Sequence, residues 1–182
     1  MGFLSKIFGE KQSRKSNPDL AFYEEIVDYI VISDTLKSDL KANLKQAFQD
    51  PKAFYDDNKN FILSERGLKY PQDALLTPKF VLVDTLLENG QMAEVDWKEP
   101  ESEIRIYLNE IRIAKRYDFT LSEDDFYRAH DTGEIINLID KQELKPQGFS
   151  IELLDINSDS YVFTIIPLDK EQKVKMMFEK LK

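Results

Sequence analysis

The feature that most constrains this chain is a change of apolar period near its C-terminal end. Before about residue 144, apolar residues recur three and four places apart, the spacing of helices with one buried face. Between Phe149 and Pro167 that pattern stops. Two runs rich in β-branched and aromatic residues, 149–156 and 161–167, flank Asn157-Ser158-Asp159-Ser160. Four turn-forming residues between two such runs predict a β-hairpin. A lone hairpin is marginal in water, so it needs a further strand and helices to cover it. Residues 91–97 alternate as a strand with one wet face would, and supply that strand. The expected fold class is α+β: about seven helices packed around a small antiparallel three-stranded sheet, formed mostly by the C-terminal half.

The helices carry start and stop signals. Leu20, Phe22, Ile26, Val27, Ile30 and Val31 mark a helical face over 19–32, and Ser33-Asp34 can cap the next helix, 35–49. Asp50-Pro51 ends that one, because a residue before proline disfavours the helical region. A less regular helix is expected over 51–66, with Gly67 as its terminal glycine. Thr77-Pro78 opens 78–89, and Pro100 opens a helix to about 116. Ser122 and Asp125 resemble a capping box before a short helix to His130, and Gly133 separates this from 134–144. The last helix, 169–181, carries Val174, Met177, Phe178 and Leu181 on one stripe.

At 182 residues, one domain is the default, and a core can form without a disulfide or metal staple. The absence of Cys excludes thiol catalysis and thiolate metal sites, and a single His excludes a multi-histidine centre within one chain. With six Gly, no glycine-rich phosphate cradle exists, and no nucleophile-elbow or zinc-protease motif appears. No cofactor and no metal are therefore expected. The net charge is −9, which argues against nucleic acid, because phosphate neutralisation needs a basic face.

Charge divides the chain into residues 1–18, a basic amphipathic segment and linker, and 19–182, a single acidic domain. Within 1–16, Lys6, Lys11, Arg14 and Lys15 oppose only Glu10, so this segment carries +3 and leaves −12 for the remainder. Phe3, Leu4, Ile7 and Phe8 share one face at helical spacing. They are the candidate contact, as a short helix packing on the domain or on a partner chain, or lying on an anionic membrane surface. They are too few for a signal peptide, and Lys6 stands where a myristoylation motif needs Ser or Thr. No run approaches the length of a membrane span, so the expected location is cytoplasmic, with peripheral membrane contact as an alternative.

Candidate chemistry gathers on acids. Glu94 and Asp96 alternate on one strand and so share a face, as acid and base, as hard-metal ligands, or as a solvated sheet face. Trp97, the only Trp, follows them, and an aromatic among acids suits an interface anchor. Asp155, Asn157 and Asp159 begin like a calcium loop, but Ser160 replaces its glycine and Ile166 its final glutamate, so turn chemistry is the expected role. His130 reads as a helix-terminal residue. A second acidic group is Glu123-Asp124-Asp125.

Two segments, Val83–Gly90 running into Glu94-Val95-Asp96-Trp97-Lys98-Glu99, and Gly148-Phe149 through Asp155–Tyr161, resemble an uncharacterised bacterial domain family. In that family a helix leads to an acid-Trp-Lys strand and the chain closes on a Ser-Asp-Ser-Tyr hairpin. The resemblance implies a bacterial, cytoplasmic, single-domain protein and carries no functional residue. The expected function is a small acidic protein-binding module, of the immunity or regulatory kind, for a protein partner whose basic charge would complement its own. Its expected partner-binding residues are Glu94, Asp96, Trp97, Asp155, Asp159 and Tyr161. Alternatives are a hydrolase using Glu94 and Asp96, with or without a divalent metal, and a membrane-peripheral protein held through residues 1–16.

Overall fold

β3 (Ser160–Pro167) organises the molecule, because its sequence leaves it no wet face. In the computed structural model, which describes residues 17–55 and 63–182, Val162 to Ile166 are all buried. A strand with an unbroken buried run must be covered on both faces. It is the central strand of an antiparallel sheet ordered β1-β3-β2, with β1 at Ala93–Asp96 and β2 at Phe149–Leu154. Val95 pairs with Tyr161, Asp96 with Ser160, and Leu153 with Phe163. The hairpin and the third strand thus form as the sequence predicts.

Six α-helices cover this sheet among the described residues: α1 (Leu20–Ile30), α2 (Asp34–Gln49), α3 (Thr77–Glu88), α4 (Glu101–Lys115), α5 (Thr132–Ile139) and α6 (Glu171–Lys180). Ala93, Val95, Ile151, Phe163 and Ile165 pack against the apolar stripes of α4 and α5. Leu154, Val162 and Ile166 face the other way, into a second core built by α1, α2, α3 and α6. The result is an α+β fold with the sheet between two helical layers. Side-chain caps at Asp19, Ser33 and Asp131 fix the starts of α1, α2 and α5.

The helix count is six rather than about seven, for local reasons. In the expected 51–66 helix, Pro51–Phe54 and Leu63–Arg66 are single 3₁₀ turns, and 56–62 lie outside the described residues. Phe54 and Tyr55 are both buried, and the Tyr55 N–H closes a tight turn on Lys52 O at 3.1 Å. Over 122–130 no helix forms. Ser122 Oγ accepts from Asp124 N at 3.1 Å in a local turn, and the Tyr127 N–H is donated to Glu101 Oε2 at 2.6 Å. That long-range bond removes a donor the helix would need. α5 begins before Gly133 rather than after it, and its wide final turn, Asp140–Leu144, leaves Asp140 Oδ1 accepting from Ile151 N at 2.7 Å.

One buried acid has a pH consequence. Glu152 on β2 is 7% exposed, hydrogen-bonded by Ser150, and lies near Glu171 and Asp140 with Lys175 opposing them. Burial, with Glu171 adding, raises its pKa from 4.5 to about 7. A raised carboxyl contributes stability below its unfolded value and loses it as pH rises through about 7. Glu152→Gln is therefore expected to stabilise the fold on the order of 1–3 kcal/mol at pH 8 and to change little at pH 4.5, measured by urea unfolding at both.

Candidate functional site

Antiparallel pairing brings the C-terminal end of β1, the N-terminal end of β3 and the β2–β3 turn to one end of the sheet. All six sequence-predicted binding residues lie there, and they fall into two neighbourhoods.

The first is a cleft of about 400 Å³ lined by Arg66, Lys79, Phe80, Glu94 and the turn 156–160. Arg66 is its hinge. Its Nε donates to Asp84 Oδ1 at 2.7 Å and its Nη2 to Glu94 Oε2 at 3.0 Å, above the Phe80 ring. Burial works against the Arg66 charge, but hydrogen bonding and attraction from Asp84 and then Glu94 outweigh it and raise the pKa. Burial raises Asp84, with Arg66 opposing. Glu94 Oε1 also accepts from Ser160 Oγ at 2.7 Å, which pins the β2–β3 turn to β1. The turn keeps itself in shape: Asp155 Oδ1 accepts from Asn157 N at 2.8 Å, and Asn157 takes φ +58°, which Asn tolerates better than most residues. Lys79, 3% exposed, donates to Asp155 O at 2.6 Å, and burial lowers its pKa. Asp159 lines the cleft and makes no ion pair among the described residues.

The second neighbourhood surrounds the start of α5. Thr132 Oγ1 lies 2.7 Å from Trp97 O and 3.0 Å from Glu99 O, so α5 holds the Trp97 backbone from behind. The Trp97 ring stays 49% exposed, with Lys98 Nζ 4.2 Å from its centroid. Tyr161 reaches the start of α5: a Cβ added to Gly133 would come within 2.7 Å of Tyr161 Oη. Gly133→Ala is accordingly expected to displace the Tyr161 ring and cost about 1–2 kcal/mol, read as a lower urea midpoint; an unchanged midpoint would show that the ring simply yields.

Arg105 joins the two acidic groups that the sequence keeps apart. Its guanidinium donates to Glu101 Oε1 at 2.9 and 2.6 Å, to Glu143 at 3.0 and 2.8 Å, and to Ser122 O at 3.2 Å. Asp125 lies 4.0 Å from it. Burial opposes the Arg105 charge, but Glu143 and Glu101 prevail and raise its pKa. This clamp seats 122–127 against the start of α4, next to the loop that carries Trp97, and leaves Phe126 66% exposed.

Glu94 and Asp96 share a face but not a partner. Arg66 and Ser160 occupy Glu94, whereas Asp96 is exposed and accepts from Lys98 N at 2.9 Å. His130 precedes α5 rather than ending a helix, exposed and 3.0 Å from Glu134 Oε2. Among the described residues no cluster of His, Cys, Asp or Glu could hold a metal ion, and no helix is long and apolar enough to cross a membrane. Phe3, Leu4, Ile7 and Phe8 lie outside the described residues.

Sequence reasoning missed Arg66, Arg105 and Phe126. The four-residue spacing of Glu101 and Arg105 was a readable signal for a helical ion pair. Nothing local marks Arg66, whose partners sit 18 and 28 positions away. No curated protein and no solved structure matches the chain. The model of the family described as "Domain of unknown function (DUF6630)" matches residues 23–182, nearly the whole described fold, and the chain belongs to that family.

Proposed function

We propose that this chain is a protein-binding module that receives a basic partner protein on the β1–β3 end of its sheet. The observation that carries the reading is the half-exposed Trp97 ring, backed by Thr132 and set beside exposed carboxylates. A ring whose backbone is already fixed loses little freedom when a partner covers it, and such rings dominate interface energies. The acids divide the work. Glu94, Glu101 and Glu143 are paired with arginines and build the frame. Asp96, Asp159, Glu123 and Asp124 face outward without an ion pair among the described residues and supply the field that steers a cationic surface.

An immunity or regulatory protein that masks a cationic partner in a bacterial cytoplasm suits this charge and size. The hydrolase reading is less well supported, because it asks Glu94 and Asp96 to converge while Arg66 and the Lys98 amide hold them to separate partners.

The test is retention at low salt from the source organism's lysate on immobilised wild-type protein, Trp97→Ala and Asp96→Lys/Asp159→Lys. A basic protein retained by the wild type is expected to bind Trp97→Ala about 30-fold more weakly and to be lost from the double reversal. The same proteins retained equally on all three would place the surface elsewhere.

A further inference from the structure

Two clefts of about 550 and 390 Å³ meet where the described chain begins. Both are lined by Asn17, Pro18 and Lys180. The first is lined by Phe22 and Met176; the second is lined by Phe48, Leu75, Leu76 and Leu181. Leu75 is 77% exposed and Met176 58%, and with the partly exposed Phe48 and Leu76 they line neighbouring clefts, where grouped apolar surface marks an interaction site. The second cleft borders the Arg66–Glu94 cleft, with Leu76 and Lys79 lining both, whereas Trp97, Asp96 and Asp159 line neither cleft of this groove.

We propose that the groove is the docking site of residues 1–16 of the same molecule, with Phe3, Leu4, Ile7 and Phe8 seated against Phe48, Leu75, Leu76 and Met176. Position, reach, tethering and charge support that occupant. The chain outside the described residues arrives at Asn17, on the floor of both clefts. Nine residue steps separate Phe8 from Asn17, which extend to about 30 Å, more than enough to lay the apolar face into either cleft. Tethering makes the encounter intramolecular, which favours it over a free ligand of equal affinity. Charge agrees as well: the segment is +3, the rest of the chain is −12, and Asp19 and Glu179 line the first cleft. Docked in this way, the segment hides the face that would otherwise bind an anionic membrane.

The chain has no Cys, so Ser5→Cys, on the polar side of the segment, gives a unique site for a nitroxide label in the full-length protein. Heteronuclear spectra are expected to lose most of the amide intensity of Leu75, Met176 and Leu181, while Trp97 and Phe126 keep theirs. Ile7→Asp/Phe8→Asp and, independently, Leu75→Asp should restore the lost signals. Leu75 is so exposed that its change leaves the core untouched. Uniform or absent broadening would overturn the proposal. So would broadening seen only when label and isotope sit on different molecules, which makes a second copy the occupant. Flotation of the full chain with anionic vesicles, without selective broadening in the free protein, would assign the segment to a lipid surface instead.

Discussion

Arg105→Met lowers the unfolding free energy by about 3–5 kcal/mol, the largest single-residue loss expected outside the apolar cores. The size follows from what the substitution leaves behind. The Glu101 side chain is fully buried and that of Glu143 is 12% exposed, and both carboxylates depend on Arg105 for their opposite charge. Methionine fills much of the volume but offers no donor, so two carboxylates remain close together in a poorly solvated place. Glu143 shows how much it depends on the guanidinium: burial pushes its pKa up, yet Arg105 and the Ser122 amide pull it below its ordinary value. A depressed carboxyl contributes stability above its unfolded value and loses it as pH falls through the folded one. The variant should therefore recover part of its deficit in mild acid, where Glu143 protonates. Urea unfolding at pH 7 and pH 4.5 reads both effects, and a loss under about 1 kcal/mol at pH 7 would show the clamp to be a surface ion pair. Tyr127 N and Ser122 N are held by the same two carboxylates, so the 122–127 loop and Phe126 should loosen together.

Lys115→Met is expected to cost about 2–4 kcal/mol. Lys115 ends α4, is 1% exposed, and donates to Ile30 O at 2.9 Å, Thr164 Oγ1 at 2.7 Å and Ile165 O at 2.9 Å. Its three N–H donors are all used, and they tie the end of α1 to β3 across both cores. The apolar replacement leaves two buried carbonyls without that donor. Burial, with Lys170 adding, lowers the Lys115 pKa to about 7. A depressed lysine contributes stability above its unfolded value, and that contribution fades as pH falls through the folded value. Wild-type stability should decline from about pH 10 towards pH 7 on this account, and Lys115→Met should flatten that decline. A variant as stable as wild type at every pH would remove Lys115 from the set of core supports.

How much of this was legible in the sequence depended on the range of the interaction. Apolar period with start signals located α1, α2, α4 and α6 to within a few residues, because each buries one stripe, whereas α3 is buried on nearly every side and was legible mainly through Thr77-Pro78. The hairpin was equally legible, since Asn157 to Ser160 is turn chemistry between two strand-like runs. Residues 122–130 misled because Ser122 and Asp125 obey a local capping rule, while the decisive bond, Tyr127 N to Glu101, spans 26 positions. Gly133 looked like a helix separator, but the crowding that calls for a glycine comes from Tyr161 across the fold. Glu94 and Asp96 were placed on one face correctly. That Arg66 would occupy only one of them was not readable, because no local pattern links position 66 to position 94. The family match bears on the resemblance at its coarser level, a domain of unknown function.

We propose that the outward acids around Trp97 recognise a cationic protein surface. Stopped-flow association of the captured partner across a range of ionic strength tests it most directly. Wild-type protein should associate fast at low salt and slow steeply as salt is added, whereas Asp96→Lys/Asp159→Lys should start more than about tenfold slower with a nearly flat salt dependence. Identical rates and slopes for the two proteins would contradict the claim.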